Sequence, residues 1–364
     1  MSGVPFPAIE ARGSYRQIGR AVGEAARPQI EAAVEYYRHN FPAISGLTFE
    51  EARRQAQEYL LHARRHLPRY VEELEGMAEA SGVPFDDLLV PNCAEEFTCA
   101  TDDGGGMAPS GPRAARAGRL CTAVAVAAGG RHIVGHNMDW YAVDLDKNVL
   151  FDVTCPDGTR FLTIAGVPYL PILGMSSHGV GYVGNSLHCT DYVVGVPNVF
   201  VRRWALEAPT VDELRTRACT PFRARGSNHL LADSLGRIVD VETSATADAT
   251  MEAGEWSVHT NHYVDETMLR FEASWSQESC DRLERARAMV GEGLARGDDP
   301  LELVAAVLRD HAHAPGAICA HPASGEPDPA ESITVASMIC DLDNGRLHAC
   351  AGPPCENPYR VFEL

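Results

Sequence analysis

The first 100 residues contain apolar positions at the three- and four-residue spacing of amphipathic helices. Thr48, followed by Glu51, forms a capping box and predicts a helix that reaches about residue 66. The predicted helices lie within 8–39 and at about 48–66, 68–82 and 86–89. This part of the chain is therefore expected to be mostly helical and to carry few catalytic candidates.

From residue 121 onward the pattern changes to short apolar runs separated by turns, which is typical of β-strands. The predicted strands are 121–127, 131–135, 148–154, 160–165, 179–187, 228–232, 237–241 and 256–260. Helices are predicted near 197–207, 211–217, 279–295 and 300–311. Strands joined by short Gly turns, such as the turn at 233–236, favour antiparallel sheets. Helices outside two such sheets would form a four-layer α+β arrangement.

Two apolar runs on either side of Gly129-Gly130 predict a β-hairpin. Cys121 opens the first strand, and Asp139 is expected just past the end of the second. Because a hairpin brings these two ends together, a thiol and a carboxylate should meet at one edge of a sheet. The preceding run at 102–118 is rich in Gly, Pro, Ala and Arg, as in an accessible connector. This arrangement suggests a nucleophile that is freed when the chain is cut before it.

Composition narrows the classes of function. The 364 residues are 45% hydrophobic, enough for a sizeable core in one large domain or two ordinary ones. A formal net charge of −19 argues against nucleic acid and anionic membranes as partners. No apolar run approaches the roughly 18–20 residues of a membrane helix, and no secretory signal is recognised. The 11 scattered cysteines are typical of free thiols in a reducing compartment, so a cytoplasmic protein is expected.

Several motifs, in order along the chain, resemble those of a known enzyme family. They are Cys121-Thr122-Ala123, Gly135-His136-Asn137-Met138-Asp139, 174–181, 258–262, 279–285, 332–341 and 352–355. Together they resemble the acyl-CoA:6-aminopenicillanate acyltransferase family, also classed as peptidase family C45, within the cysteine N-terminal-nucleophile (Ntn) hydrolases. Bile-salt hydrolases and penicillin V acylases are more distant relatives of that family. The resemblance covers most of 121–364.

This resemblance implies a fold, a processing step and an assembly. The fold would be α+β, a four-layer αββα sandwich of two antiparallel sheets. The chain would cut itself between Leu120 and Cys121. Residues 1–120, with a linker at about 102–118, would become the α-chain, and 121–364 would become the catalytic β-chain. The two chains would remain one composite domain, a heterodimer that could associate further into a homo-oligomer.

Cys121 is the predicted nucleophile. A thiolate attacks carbonyl carbons well, but it needs a base to form near neutral pH. Cleavage before Cys121 would free an α-amine whose unperturbed pKa, about 7.7–8.0, is close to that of a thiol at about 8.5. The resemblance implies that Asp139 accepts a hydrogen bond from the α-ammonium and that Asn137 supports the same turn. A purely structural turn aspartate is the alternative for Asp139.

The resemblance also implies an oxyanion hole and a buried guanidinium. Asn261 would offer its side-chain amide to the oxyanion, and Asn185 would supply the second donor. Arg282 and Arg285 lie one helical turn apart, and one of them, preferably Arg285, would pair with Asp139. Residues beside the matched motifs are predicted to bind substrate at the mouth of the site: Tyr141, His178, Tyr182, His188 and Tyr263.

One cluster in the sequence looks like metal ligands, namely His311, His313, Cys319 and His321. Its spacing matches no standard zinc pattern. A loop interrupted by Pro and Gly describes the segment better, and the family resemblance implies no metal. The sequence therefore predicts neither a metal site nor a cofactor.

The leading hypothesis is a self-processing amidohydrolase or acyltransferase that acts on small acylated amines, or on acyl-CoA thioesters, through an acyl-Cys121 intermediate. One alternative is a 6-aminopenicillanate-type N-acyltransferase that depends on acyl-CoA. Another is an unprocessed, non-catalytic binding protein with this fold, because Leu120 stands where the family often has Gly. A third is an ordinary thiol enzyme with His262 or His136 as its base.

Overall fold

The computed structural model describes residues 6–97, 121–322 and 331–364. The predicted linker at about 102–118 and Leu120 lie outside the described residues. The described helices are α1 (Tyr15–Ala25), α2 (Arg27–Ser45), α3 (Phe49–His66), α4 (Pro68–Ser81), α5 (Phe85–Asn92), α6 (Ala94–Phe97), α7 (Asn198–Ala205), α8 (Val211–Ala218), α9 (Gln277–Arg296) and α10 (Pro300–Leu308). Short 3₁₀ turns lie at Ala142–Lys147 and Leu269–Phe271.

Local signals account for most helix ends. Ser14 and Thr48 each cap a helix with a reciprocal capping box, which confirms the box predicted at Thr48. Gly46 and Gly82, with φ of 79° and 77°, end α2 and α4 in the left-handed conformation. None of the described helices combines the length and the apolar character needed to cross a bilayer.

The described strands are β1 (Ala8–Arg12), β2 (Thr122–Ala128), β3 (Arg131–Tyr141), β4 (Asn148–Thr154), β5 (Arg160–Gly166), β6 (Gly174–Ser176), β7 (Val180–Val183), β8 (Ser227–Asp233), β9 (Ile238–Thr243), β10 (Asp248–Ala253), β11 (Trp256–His259), β12 (Ser332–Asp341), β13 (Arg346–Ala351) and β14 (Arg360–Glu363). One sheet has the order β1-β4-β5-β6-β7-β8-β9-β10, and the other β11-β2-β3-β12-β13-β14. The eight predicted strands are present, although 131–135 extends to residue 141 and 179–187 shortens to 180–183.

The two sheets face each other, and helices cover both outer faces. Helices α9 and α10 pack on the six-stranded sheet, while α1 and α8 pack on the eight-stranded one. Alternation along β2 fits these layers, because Ala123 and Ala125 join the core between the sheets while Val124 and Val126 face α9 and α10. The predicted αββα sandwich is therefore confirmed. One pair departs from the antiparallel expectation, since β1 runs parallel to β4.

The N-terminal helices share the core with the rest of the chain. Arg203 of α7 pairs with Glu73 of α4 at 3.0 Å and with Glu207 at 2.6 Å, and all three side chains are buried. Asn92 of α5 donates a hydrogen bond to Pro168 O and accepts one from Leu170 N. These contacts tie α4 and α5 to the later part of the chain, which carries the candidate site.

The crossing of α1 over α4 gives a test of this packing. A Cβ atom at Gly19 would lie 1.7 Å from the backbone oxygen of Glu73, and neither backbone can move without disturbing its helix. We expect Gly19→Ala to lower the free energy of unfolding by about 3 kcal/mol, although Ala is the better helix former. The measurement is the thermal or denaturant midpoint of the purified protein.

Gly291 provides the matched control, because it also lies inside a helix but has open space around its Cβ position. Gly291→Ala should leave stability unchanged or raise it by up to about 1 kcal/mol. If Gly19→Ala proved as stable as Gly291→Ala, the close approach of α1 to α4 would be wrong.

Candidate active site

The hairpin brings Cys121 and Asp139 together, as the sequence predicted. The Asp139 backbone N–H points at Cys121 Sγ at 3.4 Å, and Sγ lies 3.7 Å from Asp139 O. Asp139 lies within β3 rather than past its end, because that strand runs on to Tyr141. Burial, together with the neighbouring Asp139 carboxyl, raises the pKa of the Cys121 thiol to about 12. In the intact chain the thiol therefore stays protonated near neutral pH.

The Asp139 carboxyl is fully buried and only partly hydrogen bonded. Thr334 Oγ1 donates to Oδ1 at 2.6 Å, while Oδ2 has no hydrogen-bond partner among the described residues. Burial raises the pKa of Asp139 to about 8, although the Thr334 hydrogen bond and the Arg282 charge oppose that shift. Asp139 thus retains one accepting oxygen and would share a proton readily near pH 8.

The two predicted arginines have different surroundings. Arg282 is buried and donates to Cys121 O at 2.6 Å, to Thr122 Oγ1 at 3.2 Å and to Asn261 Oδ1 at 3.2 Å. Arg285 instead pairs with Asp310 at 2.6 Å, and its side chain is 39% exposed. The prediction that Arg285 is the buried arginine beside Asp139 is therefore wrong. The face of α9 that meets the hairpin carries Arg282 instead.

Asn261 is held on both sides. Its backbone N–H donates to Ser279 Oγ at 2.9 Å, and Nδ2 donates to Ser186 O at 3.2 Å. Because a guanidinium can only donate, Arg282 must meet the carbonyl end of the amide, and Nδ2 is thereby turned the other way. One N–H of Nδ2 donates to Ser186 O, and the orientation of the whole amide is thereby fixed.

The structure does not bring the side chains of Asn137 and Asn185 to the thiol. Asn137 Nδ2 donates to Leu308 O and Ile318 O, both at 2.8 Å, and so ties β3 to the end of α10 and the following loop. Asn185 donates from its backbone and from Nδ2 to Asn228 on β8. Asn137 therefore supports the hairpin, and Asn185 supports the neighbouring sheet.

A cavity of about 70 Å³ opens beside the thiol. Its walls combine charged, aromatic and aliphatic residues: Pro91, Ala94, Glu95, Cys121, His136, Met138, Asp139, Trp140, Asp144, Asn148, Ala165, Gly166, Tyr169, Ile172, Leu173, Gly184, Ser186, Val199, Arg202 and Val335. Three of these residues come from α5 and α6, so the first 100 residues, which were predicted to carry few catalytic candidates, contribute part of the cavity wall. The cavity needs both parts of the chain.

Polar atoms on this wall lack partners. Asp144 Oδ1 and Asn148 Oδ1 are buried and, like Asp139 Oδ2, accept no hydrogen bond within the part of the chain that the structure describes. Burial raises the pKa of Asp144 to about 7. Trp140 Nε1 donates to the hydroxyls of Tyr37 and Tyr169 at 3.2 and 3.1 Å, so α2 helps to hold the aromatic side of the wall.

None of the five predicted mouth residues lines this cavity. Tyr182 hydrogen bonds His229, Tyr263 donates to Thr243 O, and His178 lies exposed in a turn near Thr159. Tyr141 and His188 are buried elsewhere. Proximity in sequence to the matched motifs did not indicate where these side chains lie. The residues that were missed, such as Trp140, Tyr169 and Glu95, carry no local signal that distinguishes them from core residues.

The two histidines considered as bases are poorly suited to that role. Burial and the nearby Arg202 lower the pKa of His136 to about 3, although its ring lines the cavity. His262 Nδ1 lies 2.8 Å from Ser279 Oγ, and burial lowers the pKa of His262 to about 4. Both are weak bases, and His262 does not line the cavity.

Comparison with known proteins identifies a family. A family model described as acyl-coenzyme A:6-aminopenicillanic acid acyl-transferase matches residues 126–355, which is more than half of the chain. The 40 kDa form of acyl-coenzyme A:6-aminopenicillanic-acid-acyltransferase from Emericella nidulans is 22% identical over 260 residues. That alignment covers 70% of this chain and 68% of the relative.

Solved structures of hydrolases are also similar. An N-acylethanolamine-hydrolyzing acid amidase ortholog from Caenorhabditis elegans has a TM-score of 0.47 and 16% identity, over 61% of this chain and 93% of its own. Penicillin V acylase from Agrobacterium tumefaciens has a TM-score of 0.44 and 15% identity, over 64% and 82%. A variant of conjugated bile acid hydrolase from Clostridium perfringens has a TM-score of 0.44 and 13% identity, over 67% and 97%.

The raised pKa of Asp139 predicts a pH-dependent stability. An unfolded aspartate loses its proton near pH 3.9, whereas folded Asp139 keeps its proton up to about pH 8. The stability of the folded chain should therefore fall as pH rises through this window. Asn at position 139 has no proton to lose. In a Cys121→Ala background, we expect the advantage of Asp139→Asn to grow with pH by up to about 1.4 kcal/mol per unit.

The measurement is the unfolding midpoint of both chains at several pH values between about 5 and 8, a window set by this pKa shift. Glu266→Gln, which changes an exposed carboxylate, serves as the control and should show no such trend. Parallel stability curves for Asp139→Asn and its parent would contradict a raised pKa at Asp139.

Proposed function

The chain belongs to the acyl-coenzyme A:6-aminopenicillanic acid acyl-transferase family, and from that premise we propose that it is a self-processing cysteine Ntn amidohydrolase acting on small acylated amines. The observation that carries the proposal is the contact of Cys121 Sγ with Asp139, at the wall of a cavity and at the point where the chain would be cut. Among the residues that the structure describes, no other cysteine lines that cavity.

Processing would begin at the bond between Leu120 and Cys121. The Cys121 thiol attacks the Leu120 carbonyl carbon, the C–N bond breaks, and the acyl group moves from nitrogen to sulfur. Water then hydrolyses the thioester, which leaves residues 1–120 with a carboxyl terminus and Cys121 with a free thiol and a free α-amine. Asp139 is a charged neighbour of Cys121, and its buried Oδ2, which lacks a donor among the described residues, would accept a hydrogen bond from the new α-ammonium.

The α-amine then replaces the missing base. Its unperturbed pKa of about 7.7–8.0 lies close to the pKa of about 8 at Asp139, so the two groups can share a proton. The amine takes the thiol proton as sulfur attacks the substrate carbonyl, and that proton passes to the leaving amine as the C–N bond breaks. Water attacks the acyl-Cys121 thioester in the second half, which releases a carboxylic acid and restores the thiol.

Asn261 is the proposed oxyanion donor. Arg282 holds its carbonyl end, so Nδ2 has a defined direction, and a neutral amide donor can stabilise the developing negative charge without titrating. Arg282 also binds Cys121 O and thereby keeps the nucleophile and the donor in register. Asn185 donates from Nδ2 to Asn228 Oδ1 and does not line the cavity, so we do not assign it to this oxyanion hole.

The cavity wall indicates the class of substrate. Its apolar side, with Ile172, Leu173 and Val199, would receive a small acyl group. Asp144 Oδ1 and Asn148 Oδ1 are buried acceptors, and leaving a buried acceptor without a donor costs about 1–3 kcal/mol. The N–H groups of an amide or amine would satisfy them. We therefore propose simple acyl amides as substrates, in preference to long peptides.

Acyl transfer to an amine is the second candidate. The Emericella nidulans relative carries an acyltransferase name, and the same unpartnered acceptors could hold an incoming amine. In that reaction an acyl-CoA thioester would acylate Cys121, and the amine would take the place of water. The two reactions would share the acyl-Cys121 intermediate and differ in the acyl donor, an amide or a thioester, and in the acceptor, water or an amine.

The first test of this function is the covalent state of the protein. We expect intact mass under denaturing conditions to show two chains, 1–120 and 121–364, which copurify in native form because they share the core. Cys121→Ala should give one uncut, inactive chain with the same fold.

The second test is to trap the acyl-enzyme. When wild-type enzyme is mixed with an acyl amide and hydroxylamine, part of the product should appear as hydroxamate, because an acyl-Cys121 thioester can be intercepted.

An uncut chain with full amidase activity would refute the processing mechanism. An uncut and inactive chain would favour the non-catalytic binding protein. If the amide is hydrolysed but no hydroxamate forms at any hydroxylamine concentration, an accessible acyl-Cys121 intermediate is excluded.

The arginine pair offers a sharper test. Arg282→Lys removes the planar fork that joins Cys121 O and Asn261 Oδ1, and a charge-assisted hydrogen bond is worth about 1.5–3 kcal/mol. We expect kcat/KM to fall by roughly 10- to 100-fold. Arg285→Lys keeps a cation opposite Asp310 at a partly exposed position and should stay within about twofold of wild type.

Circular dichroism and the unfolding midpoint would show that both variants are folded. Equal losses of activity in the two variants would contradict a special role for Arg282. A larger loss for Arg285→Lys would favour Arg285 as the arginine of the active site.

A further inference from the structure

Two cysteine and two histidine side chains converge near the start of β12 and the end of β13, two inner strands of the six-stranded sheet. His311, Cys319 and His321 lie in the segment between α10 and β12, and Cys355 follows β13. Their ligand atoms all lie within 4.8 Å of one another. His313, the fourth member of the cluster in the sequence, is not part of this group.

The spacing of these atoms is close to the edges of a tetrahedron around one ion. With Zn–S near 2.3 Å and Zn–N near 2.0–2.1 Å, the ideal edges are about 3.8 Å for S–S, 3.6 Å for S–N and 3.4 Å for N–N. The observed distances are 3.7 Å for Cys319 Sγ to Cys355 Sγ and 3.5 Å for Cys319 Sγ to His321 Nε2. His321 Nε2 lies 3.1 Å from both Cys355 Sγ and His311 Nε2. The two distances from Cys319 Sγ match these edges and the two 3.1 Å distances are shorter, so small side-chain shifts would place all four atoms around a single ion.

We propose that His311, Cys319, His321 and Cys355 form a structural Zn²⁺ site. Two sulfur and two nitrogen ligands in a tetrahedron favour zinc among the common divalent ions. Two thiolates balance the charge of Zn²⁺, and their two protons pass to solvent on binding. Four protein ligands leave no open position, so the ion would hold loops together and take no part in the reaction.

The surroundings of the ligands support this assignment. His321 Nδ1 lies 3.4 Å from Glu356 Oε1, so a carboxylate orients the ring and leaves Nε2 for the metal. The Cys319 backbone N–H donates to Asp310 O at 2.9 Å. The side chain of Asp310 is in turn paired with Arg285 of α9, so one ligand is anchored through Asp310 to a helix.

The site lies next to the groups that hold Asp139. Ala320, which follows Cys319, donates its N–H to Thr334 Oγ1 at 2.9 Å and accepts the Thr334 N–H at 3.1 Å. Thr334 Oγ1 donates to Asp139 Oδ1. Zinc would therefore fix the loop that aligns Thr334, and would act on Asp139 only by positioning. The ion would also join Cys355 to a segment more than 30 residues earlier in the chain.

The test is the metal content of the full-length protein, purified without chelators and without a metal-affinity column. We expect about one zinc per chain, in wild type and also in uncut Cys121→Ala, so the outcome is independent of the proposed function. Replacement of zinc by Co²⁺ should give the visible d–d bands of a tetrahedral ion and a thiolate-to-cobalt charge-transfer band. Both Cys355→Ser and His321→Ala should lose most of the zinc and melt at lower temperature.

His313→Asn is the matched control, because His313 is a neighbouring, exposed histidine with a φ of 68° that Asn tolerates. This variant should keep its zinc and its cobalt spectrum. If a ligand variant does not fold, the cobalt spectrum of the wild-type protein still shows whether a tetrahedral site with thiolate ligands is present. The proposal fails if wild type takes up neither Zn²⁺ nor Co²⁺. It also fails if a Cys319–Cys355 disulfide is found in the purified protein, or if His313→Asn loses as much metal as Cys355→Ser.

Discussion

The register of the β2–β3 hairpin is the constraint on which the rest of the structure depends. The turn at Gly129 and Gly130, with φ of 60° and 73°, needs two left-handed residues, and it pairs Ala128 with Arg131. A shift of one residue would reverse the face of every side chain on β2. Its Ala residues would then meet the helices, its Val residues would meet the other sheet, and Cys121 would no longer lie against Asp139.

Around this hairpin, a few buried polar groups join segments that are distant in sequence. Arg282 on α9 binds the start of β2 and Asn261 through one guanidinium. Thr334 on β12 holds Asp139, and Asn137 holds the end of α10. Because these groups are buried, removal of the partner of any one of them would lower the free energy of unfolding. The geometry of the site therefore depends on hydrogen bonds between distant segments rather than on any one element.

The candidate cavity also depends on the N-terminal helices. Helices α5 and α6 supply part of its wall, and Tyr37 of α2 accepts a hydrogen bond from Trp140. The buried pair of Arg203 with Glu73 locks these helices to the sandwich. Residues before and after the proposed cleavage point thus form one site, which explains why two chains would remain together after processing. The proposed zinc site would stabilise the loop that holds Thr334.

The sequence by itself determined those features whose causes are local. Caps such as Thr48, the Gly-Gly turn and the apolar periodicities specified most helices, the central hairpin and the meeting of Cys121 with Asp139, because each depends on residues close together in the chain. The short strand β1 was missed, since five alternating residues form a strand only beside β4. Tertiary structure alone decided that Arg282 rather than Arg285 faces the thiol, that the aromatic wall is Trp140 and Tyr169, and that Cys355 replaces His313 beside His321. These outcomes depend on which helix face or loop meets a distant segment, and no local pattern of residues encodes that contact.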